Sequence, residues 1–168
     1  MPPLLFILAS LLAAEPALGD FVYVSVAGEK EIAVYRQNPD DGSLSPIERV
    51  RMPAEPGALA ISPDGKLIVA ALRSSGELST LARDPATGRL KLLHTIAAGD
   101  DPAQLSIDSS GRYVFTAYYR AAKVTVHEIN PQGKLLDPPH QSLPTADKAH
   151  AIMLSPDKRY AYVPHTGS

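Results

Sequence analysis

Residues 61–66 (ISPDGK) decide the fold, because they recur as residues 107–112 (IDSSGR) and again as residues 154–159 (LSPDKR). The three copies begin 46 and 47 residues apart. A proline presets φ and a glycine accepts positive φ, so the Ser-Pro-Asp-Gly form of the pattern is typical of a tight turn. The spacing therefore indicates one structural unit that is repeated along the chain.

A second turn pattern has the same period. Residues 38–44 (NPDDGSL) recur 46 positions later as residues 84–90 (DPATGRL), and residues 130–135 (NPQGKL) are a shortened third copy. Two independent patterns with one period make a chance similarity improbable. They support an internal repeat of about 46 residues.

The segments between these turns are typical of short β-strands. In one repeat they are residues 58–62, 67–72, 77–82 and 90–96, and residues 67–72 form a continuous apolar run, as in a strand buried on both faces. No window has a sustained 3.6-residue apolar period, so helix should be nearly absent. Four strands in about 46 residues predict an all-β protein, a β-propeller of four-stranded antiparallel blades.

The repeats in this chain predict an incomplete propeller. Residues 21–24 align with residues 67–70, so they are expected to form the second strand of a blade whose first strand is missing. Residues 20–168 should then contain one blade without its first strand, two whole blades and one half blade. Because such a set cannot close a ring of about 4–8 blades, the sequence predicts an N-terminal fragment of a longer propeller.

The first 19 residues are predicted to be a signal peptide. Residues 4–14 are apolar except for Ser10, but this run is shorter than the roughly 20 residues that span a bilayer. Ala17 and Gly19 are the small residues that a cleavage site before Asp20 needs. We expect export to the periplasm or the extracellular space, without membrane attachment after cleavage. An uncleaved membrane anchor is the alternative interpretation.

The composition excludes several functional classes. A net charge of -2 leaves no basic surplus for binding nucleic acid, and the absence of cysteine excludes disulfides and thiolate chemistry. The sequence contains no phosphate-binding loop, no dinucleotide fingerprint and no closely spaced histidine pair, so neither a cofactor nor a metal is expected. A small molecule is the expected partner.

The strand order predicts where functional side chains gather. Both turn patterns lie on one face, so the loops between second and third strands and the connections between blades lie on the opposite one, which we call the mouth face. Residues that differ between the repeats at these positions are the candidates for function, since shared residues are explained by the shared fold. The candidates are His150, Arg120, Arg73, Tyr119, Lys148 and His165.

These side chains suit an anionic or carbonyl-bearing small molecule. A neutral imidazole at His150 can act as a general base on water, and the Arg120 guanidinium can stabilise an oxyanion. Arg73, Tyr119, Lys148 and His165 would bind the substrate. The structural alternatives are a hydrogen-bonding role for His150 and solvated loop arginines.

Other aromatic and histidine residues have simpler interpretations. Tyr118 should share the mouth face with Tyr119, and one of these two tyrosines is expected only to pack between blades. The histidines at positions 94, 127 and 140 fall in strands or turns away from the mouth, so they are predicted to be structural.

Three segments resemble the lactonase-type seven-bladed β-propeller family, which includes 6-phosphogluconolactonase and the carboxymuconate cyclases. They are residues 21–25 (FVYVS), residues 101–129 (DPAQLSIDSSGRYVFTAYYRAAKVTVHEI) and residues 148–167 (KAHAIMLSPDKRYAYVPHTG). The resemblance implies that His150 occupies the family's histidine-containing entrance motif and Tyr119 its loop tyrosine. Tyr118 and His165 stand where the family often has asparagine and an acidic residue. These differences argue against 6-phosphogluconolactone itself as the substrate.

The resemblance implies a lactone-ring-opening hydrolase, similar to 6-phosphogluconolactonase, as the leading function. A non-catalytic exported propeller that binds a small molecule or a protein on the same face is one alternative. A muconate cyclase-type reaction, in which a carboxylate adds across a conjugated double bond, is another, and Arg73 with Arg120 could supply its cationic contacts.

Overall fold

The computed structural model describes residues 20–167, so the predicted signal peptide lies outside the described residues. The strands are β1 (Phe21–Val26), β2 (Glu31–Gln37), β3 (Leu44–Arg51), β4 (Pro56–Ile61), β5 (Leu67–Leu72), β6 (Glu77–Arg83), β7 (Leu90–Ala97), β8 (Pro102–Ile107), β9 (Tyr113–Tyr118), β10 (Lys123–Glu128), β11 (Gln141–Pro144), β12 (Met153–Leu154) and β13 (Ala161–Tyr162). Within this described part, the only helix is a 3-10 turn at Ala27–Glu29.

The strands form successive sheets in which chain neighbours pair. The sheet orders are β1-β2-β3, β4-β5-β6-β7, β8-β9-β10-β11 and β12-β13. Every pairing is antiparallel. The all-β prediction and the four-stranded antiparallel module are confirmed, and the whole described chain is an incomplete propeller.

Turn chemistry explains the spacing of the strands. Gly65 and Gly111 have φ of 68° and 72°, in the left-handed region that glycine enters without a steric penalty. In the same turn Ser62 Oγ donates to Asp64 Oδ1 at 2.6 Å and accepts the Leu67 N–H at 3.0 Å. In the third copy Lys158 holds the glycine position at φ of 63°. The repeated sequence therefore closes β4–β5, β8–β9 and β12–β13 in one way.

The apolar core lies between sheets. Strand β5 is buried at every position, as its continuous apolar sequence predicts. Ile68, Ala70 and Leu72 pack into the cluster shared with the first sheet, whereas Val69 and Ala71 pack into the cluster shared with the third. The second sheet thus uses both faces for burial, which stabilises sheets that are individually too small to fold alone.

Hydrogen bonds also join neighbouring sheets. Tyr23 Oη on β1 donates to the Gly88 carbonyl at 2.8 Å and accepts from Arg83 Nε at 2.7 Å. On the other side of the molecule, Ser106 Oγ on β8 donates to the Ile152 carbonyl at 2.6 Å. These bonds fix how consecutive sheets sit against each other, and so they fix the relative positions of the connecting loops.

His127 is the one titratable histidine that the described core encloses. It lies on β10 opposite Val114, whose side chain belongs to the cluster between the second and third sheets. Its Nδ1 is 3.0 Å from the Leu136 carbonyl, and its buried Nε2 has no hydrogen-bond partner among the described protein groups. Burial disfavours the imidazolium and lowers the pKa of His127, although the Leu136 carbonyl partly opposes this effect.

We expect His127→Leu to remove part of the acid sensitivity of folding. The folded-state pKa lies below that of the unfolded chain, so the unfolded chain binds the proton first as the pH falls. Stability is then complete above about pH 6.5 and is lost below it, by at most about 1.4 kcal/mol per pH unit for one group. Leucine fits this repeat position, because Leu81 occupies it one repeat earlier. Urea unfolding at pH 7 and pH 5 measures the difference.

The matched control for this test is His140→Leu, since His140 is exposed. The control should retain the pH dependence of the wild type. Identical pH dependence of unfolding in the wild type and His127→Leu would contradict the prediction.

Candidate functional site

The mouth-face segments that carry the candidates belong to the second, third and fourth sheets. Residues 73–76 join β5 to β6 and residues 119–122 join β9 to β10, while residues 98–101 and 145–152 connect one sheet to the next. Antiparallel pairing places all four segments at the same end of their strands. All six candidates lie on or next to these segments or in the final stretch after β13.

Two arginines meet one buried carboxylate on this face. Arg73 Nε donates to Asp101 Oδ1 at 2.7 Å, and Arg120 Nε lies 3.7 Å from Asp101 Oδ2. Only 7% of Asp101 is exposed, whereas the side chains of Arg73 and Arg120 are 43% and 72% exposed. The Asp101 carboxylate raises the pKa of Arg73, so this guanidinium stays charged.

The second group of candidates surrounds His150. The Tyr119 ring meets the His150 ring edge-on, with centroids 5.8 Å apart and an interplanar angle of 79°. Thr166 Oγ1 donates to Tyr119 Oη at 3.3 Å. The backbone N–H of His150 donates to the Pro164 carbonyl at 3.0 Å, while the imidazole is exposed. The ring is therefore oriented by Tyr119 and accessible to a ligand.

Lys148 and His165 lie beside this pair. The His165 ring hydrogen-bonds through Nδ1 to the Asp147 carbonyl at 3.0 Å, which fixes Nδ1 as the donor. Lys148 shares a shallow depression of about 320 Å³ with Tyr119, Arg120 and Asp147. An anionic ligand in this depression would meet two cationic side chains, Arg120 and Lys148.

The two groups are linked through the backbone. The N–H of Tyr119 donates to the carbonyl of Asp101 at 3.0 Å, and the Thr166 N–H donates to the Lys148 carbonyl at 3.2 Å. Each bond joins a loop to the connection that enters the same sheet. The structure thus brings Arg73, Arg120 and Asp101 into one contact set and Tyr119 and His150 into another, on one face.

Asp101 is absent from the candidates that the sequence suggests. The equivalent residues in the other repeats are Glu55 and Lys148, so an acidic residue occurs in two of the three copies. Lys148 differs from the acidic residues of the other two copies, whereas Asp101 does not stand out among them. Arg73 has no basic counterpart in the other repeats. An acidic residue in the connection that faces Arg73 was therefore the sequence feature that pointed to Asp101.

Tyr118 does not reach the mouth face. The ring is buried between the second and third sheets, where its hydroxyl lies 3.1 Å from Thr125 Oγ1. Lys123 Nζ lies 4.9 Å from the ring centroid. The expectation that Tyr118 shares the mouth with Tyr119 is therefore corrected: adjacent strand residues point to opposite sides, and Tyr118 is the packing residue.

The remaining histidines lie away from the mouth. His94 faces Thr80 in the middle of β7, and His140 packs against Tyr113 with centroids 5.9 Å apart. Together with the enclosed His127, they have structural surroundings. Between residues 20 and 167, no group of three or more histidine, aspartate or glutamate side chains is arranged to hold a metal ion.

A larger depression lies on the opposite face, which carries the turns. It has a volume of about 630 Å³ and is lined by turn residues that include Ser62, Asp64, Gly111 and Asn130. It contains none of the candidate residues and no arginine or histidine. Size alone would favour this cleft, but the candidate arginine and histidine side chains lie on the mouth face.

The sequence matches a protein family over most of its length. Residues 14–99 and 94–168 match the family described as lactonase, 7-bladed beta-propeller. This chain belongs to that lactonase family. The resemblance of the three segments to this family is confirmed, and the sheets described above are blades of the family's propeller.

Solved structures show the same blade arrangement. A candidate 6-phosphogluconolactonase from Bacteroides uniformis has 20% identity and a TM-score of 0.79, covering 86% of this chain and 44% of that chain. The periplasmic gluconolactonase of Pseudomonas aeruginosa has 26% identity and a TM-score of 0.74, covering 86% of this chain and 46% of that chain. Hydrazine synthase of Kuenenia stuttgartiensis has 16% identity and a TM-score of 0.63, covering 97% of this chain and 47% of that chain.

The chain spans less than half the length of these three structures. No curated protein sequence matches it. Because one of the similar structures is a hydrazine synthase, the shared fold does not define a reaction. In the part of the chain that is described, no helix is long and apolar enough to cross a membrane.

Proposed function

We propose that the full-length protein opens a lactone ring by hydrolysis at the mouth face. The observation that carries the proposal is the exposed His150 imidazole, held edge-on by Tyr119 on the face that also presents Arg73 and Arg120. Membership of the lactonase family supports the reaction class. A base and a cationic group on one face are what ester hydrolysis by water requires.

In the proposed reaction His150 accepts a proton from water as the water oxygen attacks the lactone carbonyl carbon. The tetrahedral intermediate carries an oxyanion, which a guanidinium stabilises, and Arg120 is the more exposed of the two arginines. One such donor is worth about 3–4 kcal/mol. The ring C–O bond then breaks, and the imidazolium returns its proton to the leaving alkoxide. The product is an open-chain hydroxy acid.

The other candidates would bind the substrate. Arg73 would contact the same anionic group as Arg120, because its Nε contact with Asp101 leaves the outer edge of the guanidinium directed elsewhere. Lys148 lines the depression that contains Arg120, and Tyr119 supports the His150 ring. His165 bounds the same region through its contact with Asp147.

We also propose that this reaction takes place outside the cytoplasm. The support is the apolar N-terminal segment that ends at Ala17 and Gly19. A similar structure is that of a periplasmic gluconolactonase. Unphosphorylated sugar lactones are therefore the first substrates to test.

A lactone panel tests the proposal directly. The full-length protein is mixed with glucono-lactone, its 6-phosphorylated form and a simple neutral lactone, and acid release is followed at constant pH. We expect ring opening well above the spontaneous rate for at least one lactone. Tight binding of a panel member without turnover would favour the non-catalytic alternative, and no acceleration with any lactone would refute the hydrolase proposal.

A further inference from the structure

The contacts of Asp101 have a specific geometry. Both arginines approach through Nε, Arg73 toward Oδ1 at 2.7 Å and Arg120 toward Oδ2 at 3.7 Å. In residues 20–167 neither arginine makes another ion pair or side-chain hydrogen bond through its terminal nitrogens. The Nη edges of two neighbouring guanidinium groups are therefore available on one face.

The surroundings position Asp101 and the aliphatic part of Arg73. Asp101 is almost fully buried, has a left-handed backbone with φ of 58°, and accepts the Tyr119 N–H through its own carbonyl. The aliphatic part of Arg73 lies against Gly57, where an added Cβ would come within 3.3 Å of the Arg73 Cγ and Cδ atoms. The carboxylate compensates one of the two positive charges, so one remains for a ligand.

We propose that Asp101 is a positioning residue, which holds Arg73 and Arg120 side by side as a two-arginine clamp for one anionic group of the ligand. Such a clamp offers the forked N–H pairs that carboxylate and phosphoryl oxygens accept. The inference rests on the anion-binding part of the proposed function and not on hydrolysis. Without Asp101, two long and exposed side chains would have to be ordered when the ligand binds.

The proposal predicts a change in anion affinity opposite to the one that simple electrostatics predicts. Removing a negative charge beside an anion site should strengthen anion binding if only charge mattered. If Asp101 positions the arginines, Asp101→Asn should instead weaken binding, by about tenfold if one side chain must be reordered. Asparagine is suitable because it tolerates the left-handed backbone better than most residues.

The experiment measures binding of inorganic phosphate and of gluconate to the full-length protein by calorimetry. Asp100→Asn is the matched control, because Asp100 is the exposed neighbour, makes no ion pair with either arginine and removes the same charge. We expect Asp101→Asn to bind the preferred anion about tenfold more weakly and Asp100→Asn to bind it equally or more tightly. In a protein that already carries Arg73→Gln, adding Asp101→Asn should no longer change the affinity for the anion.

The two probes separate a phosphoryl ligand from a carboxylate ligand. Unchanged or tighter binding in Asp101→Asn would overturn the inference, as would failure of the wild type to bind either anion. Weaker binding in Asp101→Asn together with no lactone hydrolysis by the wild type would refute only the hydrolase proposal. The unfolding midpoints of both variants show whether a loss of binding reflects a loss of fold.

Discussion

His150→Ala is expected to lower kcat for lactone hydrolysis by about 10²–10⁴-fold, the usual contribution of a positioned general base. The substitution removes the imidazole and its contact with the Tyr119 ring. The hydrogen bond from the backbone N–H of residue 150 to the Pro164 carbonyl would remain. Because the imidazole is exposed, the fold should be preserved. Initial rates with the preferred lactone, with KM and kcat separated, measure the effect.

The division of the effect between kcat and KM distinguishes a catalytic base from a structural histidine. Loss of a catalytic base should lower kcat and leave KM nearly unchanged. His140→Ala is the matched control, since it removes an exposed histidine that packs on Tyr113 away from the mouth. A wild-type kcat in His150→Ala would remove His150 from the mechanism.

Ile68→Ala is expected to destabilise the protein by about 2–5 kcal/mol, as large-to-small changes in buried cores do. Ile68 is 0% exposed and packs into the cluster between the first and second sheets. The cavity left by the substitution would lie between two sheets. Because hydrogen bonds of Tyr23 and Arg83 also hold these sheets in place, the sheets cannot move together to fill the cavity completely. Urea unfolding measures the loss, with the slope of the unfolding free energy against urea concentration expected to be the same in both proteins.

The adjacent strand provides a matched control for this substitution. Ile61 is paired with Ile68 across β4 and β5, but it is 47% exposed. Ile61→Ala should therefore change the free energy of unfolding much less, by about 0.5 kcal/mol. Equal effects of the two substitutions would show that the cluster between the sheets is not the main source of stability.

The strands could be predicted from local sequence because their causes are local. The turn at residues 61–66 has a proline, an aspartate and a glycine at the positions typical of such turns, and the structure has the corresponding hydrogen bonds and positive φ. The continuous apolar run at residues 67–72 predicts a strand buried on both faces, which β5 is. Neither property depends on a distant part of the chain.

The site was only partly predictable, because its contacts cross between loops. Arg73 and Asp101 are far apart in sequence and belong to different sheets, and their contact exists only because the sheets stack in order. Comparison of repeats identified Arg73 and His150 as unusual, but it could not show that a carboxylate joins Arg73 to Arg120. The acidic residue at Glu55 made Asp101 look like part of the shared scaffold.

Sequence by itself determined the repeat, the turns, the strand order and the face on which the unusual side chains lie, since these follow from periodicity and backbone preferences. Only the tertiary structure decided that Tyr118 packs inside while Tyr119 supports His150, and that Asp101 brings two arginines together. The reason is physical: side-chain direction and charge pairing depend on how neighbouring sheets dock, and docking depends on contacts between residues that are remote in the chain.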